Sequence, residues 1–252
     1  MQVHSTLARL ADGALLVLLA PRCAVCQTLL DHVGRGPVCH ACWTAILTFT
    51  PPCCARCGEP LGWAGTSSCA RCTERVPIVD RACAIGPYEG ALREIIHVLK
   101  YEGRRSLAPR LSALMRERGR EILAGADAVV PVPLHWRRLH ARGFNQAADL
   151  ARGLGLPVCR ALARTRPTRS QIALPAAERR RNVRRAFGLA GLPGVGRPER
   201  RWRGRLDRKC LVLVDDVSTT GATLNACAEV LKAAGAREVR ALTAARTAST
   251  PR

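Results

Sequence analysis

Aromatic residues are scarce: Phe, Tyr and Trp together make up 4% of the 252 residues. Because 48% of the chain is apolar, its core has to be assembled from Leu, Val and Ala. Acidic residues are also few, 19 against 40 Lys and Arg, and the net charge of +21 is carried almost wholly by Arg. That balance suits a polyanionic partner or a highly phosphorylated substrate. A bias of composition toward Arg and Ala gives the same sum without any partner. A bilayer-long apolar run is missing too. The nearest stretch, Leu7 to Ala20, is short and interrupted by Asp12, so no membrane span is expected. Leu7, Leu10, Ala14, Leu15 and Leu18 fall on one helical face, which predicts an amphipathic helix packed on the body of the protein rather than a signal peptide.

Cysteine is abundant instead. Ten of the thirteen lie between Cys23 and Cys83. Four C-x2-C pairs stand out: Cys23 with Cys26, Cys39 with Cys42, Cys54 with Cys57, and Cys69 with Cys72. The first two pairs are separated by 12 residues and the last two by 11, an internal duplication. Two intervening residues let both sulfurs reach one tetrahedral zinc, and a second knuckle closes the site. Two structural zinc sites with no open coordination position are therefore predicted, and metal binding would supply folding energy that so few apolar residues cannot. Cys53 competes with Cys54 as a ligand, and interleaved pairing between the units is an open alternative. Thiolates kept for metal imply a reducing, cytoplasmic compartment. Cys83, Cys159, Cys210 and Cys227 are expected as small core residues.

The later part of the chain is organised around Cys210 to Gly235. Leu211 to Val214 reads as a buried parallel strand, with Asp215 and Asp216 at its carboxyl end, where ligands bind in open α/β sheets. Ser218, Thr219, Thr220, Gly221, Ala222 and Thr223 lead into a helix whose apolar positions are Ala222, Ala226, Val230 and Leu231. No Gly-Lys-Ser/Thr ending is present, so this is not a Walker A loop. Backbone amides at a helix start, the dipole and the hydroxyls would hold a phosphate, and Gly221 lets it come close. Two carboxylates would repel that phosphate and suit sugar hydroxyls or Mg²⁺. A phosphoribosyl ligand follows, against the plainer reading of Asp and Thr as helix caps.

Elsewhere the pattern predicts a strand over 80–87 and a helix over 91–101 that buries Leu92, Ile95, Ile96 and Leu99. A second amphipathic helix is predicted over 105–123 and a strand over 127–132. The loop after Pro133 carries Arg137, Arg138 and Arg142 at a strand end, where guanidinium groups could clamp pyrophosphate. Residues 164–187 are dense in Arg and lack periodicity. Residues 188–209, rich in Gly, Pro and Arg, read as a disordered linker, and a last strand is expected over 238–244.

VLVDDVSTTGAT resembles the phosphoribosyl pyrophosphate (PRPP) motif of type I phosphoribosyltransferases. Together with the cysteine pairs, Lys100-Tyr101 and Arg142-Gly143-Phe144-Asn145-Gln146, it identifies the chain as similar to the ComF/GntX family. The resemblance implies an α/β fold, a mostly parallel sheet flanked by helices, behind an N-terminal double zinc ribbon. Residues 1–78 and 79–252 would be the two parts. It implies PRPP with Mg²⁺ as ligand, Asp215 and Asp216 at ribose and metal, and 218–223 at the 5′-phosphate. Arg137 and Arg142 would lie at pyrophosphate, with Lys100 nearby. Residues 164–187 would be a closing lid, with Arg164, Thr168, Gln171, Arg179, Asn182 and Phe187 at matching positions. No acid–base side chain is evident, which suits catalysis by positioning and charge stabilisation. The family also implies roles in DNA uptake during natural competence, with single-stranded DNA or competence proteins as partners, or in gluconate utilisation. A nucleic-acid-binding protein with a degenerate pocket, and a structural adaptor, are the rival readings; the acceptor and the oligomeric state are not legible.

Overall fold

The computed structural model describes residues 20–31, 36–62, 65–165, 186–191, 202 and 204–247. The helix expected over Leu7 to Ala20 lies outside them apart from its last residue. So do Thr168, Gln171, Arg179 and Asn182 of the expected lid.

Each cysteine unit folds the same way. An antiparallel bridge encloses the first pair, Arg22 with Leu29 and Cys53 with Pro60. A five-residue helix then starts at the third cysteine: α1 (His40–Thr44) after Cys39, α2 (Ala70–Glu74) after Cys69. The duplicated spacing is thus a duplicated structure.

Four parallel strands form the main sheet in the order β1–β6–β5–β2: β1 (Arg81–Pro87), β2 (Ala128–Pro131), β5 (Cys210–Ser218) and β6 (Glu238–Arg246). β5 lies between two partners, so its apolar run is needed on both faces. Val212 and Val214 pack with Leu242 and Ala244 on one face; Leu211 and Leu213 pack with Val130 and Ala241 on the other. The first face is covered by α3 (Gly90–Tyr101) and α4 (Ala108–Arg118). The second is covered by α8 (Ala222–Ala233).

Several expectations are corrected. β5 and β6 run further than 214 and 244, so Asp215 and Asp216 lie within a strand rather than after it. α8 fully buries Leu224, Cys227, Ala228 and Leu231; of the predicted stripe, Leu231 is buried and Ala226 and Val230 pack partly buried against the same core. The helix over 105–123 is broken into a 3₁₀ turn (Arg105–Leu107), α4 and α5 (Arg120–Leu123). α4 and α5 meet at Gly119, where a Cβ would stand 2.6 Å from Leu242 Cδ1. The basic loop after Pro133 is largely helical, α6 (Trp136–Arg142), and leads into α7 (Gln146–Arg152). The described part of the 188–209 segment is folded. Phe187–Leu189 is β4, paired antiparallel with β3 (Leu162–Arg164), and Trp202 and Leu206 are buried. Trp202 Nε1 donates to the Ala190 carbonyl at 2.7 Å, an anchor that the Gly/Pro/Arg composition hid. Cys210 and Cys227 are buried as expected, but Cys83 and Cys159 are only partly so.

The first ribbon shares the core of the sheet domain. Cys23, Leu30, Val38, Cys42 and Trp43 join the cluster of Ile85, Leu92 and Leu111, and Arg110 stacks over Trp43 at 4.6 Å. Segment 47–49 lies against β1 so closely that a Cβ on Gly86 would meet the Leu47 oxygen at 2.0 Å. Phe49 N donates to the Ile85 carbonyl there. Among the described residues no helix is long and apolar enough to cross a membrane.

Candidate functional site

The eight paired cysteines form two tetrads, Cys23/Cys26/Cys39/Cys42 and Cys54/Cys57/Cys69/Cys72, each with its sulfurs within 4.8 Å of one another. Pairing is therefore sequential, not interleaved, and Cys54 rather than Cys53 completes the second set. Zinc with four thiolates at about 2.3 Å sets sulfurs about 3.8 Å apart. The contacts are 3.8 Å for Cys23–Cys42, 3.6 Å for Cys26–Cys39 and 3.6 Å for Cys57–Cys69. Amides also point at the sulfurs, from Val25 and Cys39 to Cys23 and from Cys42 to Cys39. The Thr28 hydroxyl brings the Cys26 thiol down to about 6. Burial pushes Cys54 up, yet the amides of Cys69, Cys57 and Arg56 hold it down to about 7. Both tetrads fit structural zinc ribbons.

A second centre lies at the carboxyl ends of β1, β5 and β6. A cavity of about 390 Å³ opens there, lined by Asp215, Lys100, Tyr88 and, from the loop, Ser218, Thr219, Gly221 and Thr223 among others. Strand ends place these groups together because all four strands run in the same direction. Gly221 caps α8 at φ +73°, a left-handed conformation that glycine adopts without strain. Thr220 Oγ1 accepts from Ala222 N at 3.4 Å. The Ser218 hydroxyl is buried with no hydrogen-bond partner among the described residues. A hydroxyl-rich loop with an unmet buried hydroxyl at a helix start has the chemistry to hold an anion.

Opposite that loop, Lys100 Nζ stands 2.9 Å from Asp216 Oδ2, both side chains largely buried. Burial presses the ammonium toward losing its proton, but Asp216, with Asp215 behind it, more than offsets this and raises its pKa. Asp215 is crowded by protein and by the Asp216 charge, which raises its carboxyl well above the usual carboxylate range. Its cavity side still meets water. Each aspartate also accepts from the next amide, Asp216 N to Asp215 Oδ1 at 2.9 Å and Val217 N to Asp216 Oδ1 at 2.7 Å.

The other expected ligands fall around this core. Arg164 ends β3, stacks over Phe187 at 5.3 Å, and lies within the electrostatic reach of Asp215 and Arg138. Arg137 and Arg142 do not line the cavity. Arg142 donates to Gln146 Oε1 at 2.6 Å and stacks over Tyr101, which does line it. Arg137 stacks over Trp136 on the outer side of α6. Sequence reasoning missed Tyr88, Arg93, His97 and Thr247 as lining residues. Their signal was present: Tyr88 and Thr247 directly follow β1 and β6, and 93, 97, 100 and 101 repeat at helical spacing on α3.

Among the described residues, no third cluster of metal-ligating side chains accompanies the two tetrads. Mg²⁺ needs no cage of its own, since it binds through one or two carboxylates together with substrate phosphates. Asp215, facing the cavity, fits that donor set.

A parallel sheet with an anion cradle at its carboxyl edge, fronted by two thiolate tetrads, defines a phosphoribosyltransferase-type domain carrying a double zinc ribbon. Known proteins agree. Residues 14–73 match the family described as "Double zinc ribbon domain", and residues 139–252 match "Phosphoribosyl transferase domain". The chain is 33% identical over 229 residues to "Competence protein F" of Haemophilus influenzae, covering 87% of this chain and 94% of that protein. It is 34% identical over 228 residues to "DNA utilization protein YhgH" of Escherichia coli K12, covering 86% and 93%. It belongs to the ComF/GntX family. A solved structure titled as the allosteric regulatory enzyme of purine biosynthesis matches 54% of this chain at 25% identity and a TM-score of 0.33. The chain spans about a quarter of that enzyme's length, 26%.

Proposed function

We propose that the protein binds PRPP with Mg²⁺ at the β5–α8 edge, as a phosphoribosyltransferase-like member of a competence and DNA-utilisation family. Residues 1–78 form the ribbon part in this reading and 79–252 the ligand-binding part. The observation that carries it is one cavity lined by Asp215, Lys100 and residues of the Ser218–Thr223 loop, with Asp216 buried behind Lys100 at 2.9 Å. The cradle takes the 5′-phosphate, and Asp215 and Asp216 accept hydrogen bonds from the ribose hydroxyls. Bound Mg²⁺ would neutralise the pyrophosphate oxygens beside Asp215. Lys100 holds Asp216 in place through their 2.9 Å contact, so the pocket does not reorganise as the ligand enters. Arg164 ends β3 within electrostatic reach of Asp215, and Arg142 positions the Tyr101 wall. The names of the relatives support a role in DNA uptake.

One observation favours a second surface for single-stranded nucleic acid. Trp136 is 64% exposed beside Arg137, and the exposed Tyr101 stacks with Arg142. Aromatic platforms interleaved with Arg are what bases and phosphates of a single strand need.

Titration calorimetry with PRPP and Mg²⁺ tests the first reading. Wild type is expected to bind, and the Asp215→Asn/Asp216→Asn protein to lose at least tenfold, about 1.4 kcal/mol. Equal binding by both refutes it.

A further inference from the structure

Arg246, the last residue of β6, is 3% exposed and joins two regions that the sequence sets far apart. Its side chain is held by the second ribbon. Nε donates to Glu59 Oε2 at 2.7 Å and Nη1 to the Cys57 carbonyl at 3.0 Å. Cys57 is a member of the second tetrad, and Glu59 also pairs with Arg71, whose guanidinium reaches the Cys57 sulfur. The turn between them is pressed on the sheet: a Cβ on Gly58 would stand 3.0 Å from the Ala82 oxygen.

The main chain of Arg246 is held by the cavity rim. It sits opposite Ser218 of β5 and Pro87 of β1. Its carbonyl accepts from Tyr88 N at 2.8 Å, and the next residue, Thr247, donates its N–H to the Ser218 carbonyl at 2.9 Å. Tyr88, Ser218 and Thr247 all line the cavity. One residue thus carries the zinc knuckle on its side chain and the ligand rim on its backbone.

Such an arrangement has little slack. A buried guanidinium that loses its partners cannot stay where it is, because an uncompensated buried charge is strongly unfavourable. Its second Nη is already buried without a hydrogen-bond partner among the described residues. If the knuckle opens, Arg246 must move, and the end of β6 moves with it. Pairing that served stability alone would be met as well by apolar side chains of similar volume.

We infer that Arg246 is a positioning residue through which the second zinc ribbon sets the geometry of the sugar-phosphate rim. The consequence for ligand affinity rests on the PRPP reading above; the coupling itself does not. Two variants of the full chain test it, Arg246→Lys and Glu59→Gln, with Glu121→Gln, at an exposed ion pair, as control. Hydrogen exchange is measured at residues 88, 218–223 and 247, with zinc content and PRPP affinity alongside. Faster exchange at those rim residues, with less change in α4, and PRPP binding weakened about fivefold or more are expected, the scale of coupling within one contact network. Glu121→Gln is expected to behave as wild type. Zinc content at two per chain in a variant shows that the effect does not come from metal loss. Rim exchange like that of wild type in Glu59→Gln overturns the coupling even if Arg246→Lys does not fold. Altered exchange with no PRPP binding by wild type leaves the coupling standing and removes the ligand assignment.

Discussion

Asp215→Asn is expected to stabilise the protein and impair its ligand binding at once. In the unliganded chain Asp215 is enclosed by protein and faces the Asp216 charge, and these effects outweigh the opposing pull of Lys100 and of the Asp216 amide. Its carboxyl is therefore raised. A raised carboxyl means that the folded state prefers the protonated form, so the charged form at neutral pH works against folding. That penalty is absent below about pH 4, where unfolded aspartate is protonated as well. It grows as pH rises from there toward the elevated folded value. Asparagine resembles the protonated form and removes the penalty. Because the cavity side of Asp215 meets water, screening leaves only part of the gain, about 1–2 kcal/mol, within the range of single stabilising substitutions. For a chain of this length that is a rise in melting temperature of about 2–8 °C. Thermal melts at pH 8 and pH 4 with no ligand, followed by calorimetry with PRPP and Mg²⁺, check both halves. The gain should be present at pH 8 and gone at pH 4, with affinity down at least tenfold. A variant that melts no higher than wild type at pH 8 refutes the electrostatic argument.

Gly86→Ala places a Cβ 2.0 Å from the Leu47 oxygen and must displace the 47–49 segment with its Phe49–Ile85 hydrogen bond. A loss of about 2–4 kcal/mol is expected in denaturant unfolding. Gly125→Ala, strained by a φ of +67° but with open space around its Cβ, should cost about 1 kcal/mol. Metal analysis should return two zinc ions per chain, falling toward one in Cys69→Ser. Chelation should shift Trp43 fluorescence as the first ribbon leaves the shared core. Trp136→Ala should leave the melting temperature within about 1 °C, since the ring is exposed. It should weaken single-stranded DNA binding by about 1–3 kcal/mol; unchanged binding in an anisotropy titration removes that surface from the proposal.

The cysteine pairs were legible in the chain, because ligand spacing within a knuckle is local and one metal dictates it, while the choice of Cys54 over Cys53 and the sequential pairing came from the structure. The β5–α8 turn was legible for the same reason: strand, cradle and helix start are consecutive, so Asp215 to Thr223 come together without any long-range contact. Sequence also marked the strands, since residues buried on both faces must be apolar. What it could not give were relations between distant segments. Tyr88 and Thr247 became cavity walls only because β1 and β6 flank each other in parallel. The buried stripe of α8 was misread because many alanines leave the periodicity nearly flat, and the sheet decided which face turned inward. Gly119 sits at a break in a helix that looked continuous, and Leu242, more than a hundred residues later, occupies the space a side chain there would need. Arg246 is the clearest case. By itself it is one more arginine near the end of an arginine-rich chain, and only the packing of the second ribbon against the sheet gives it a partner at Glu59.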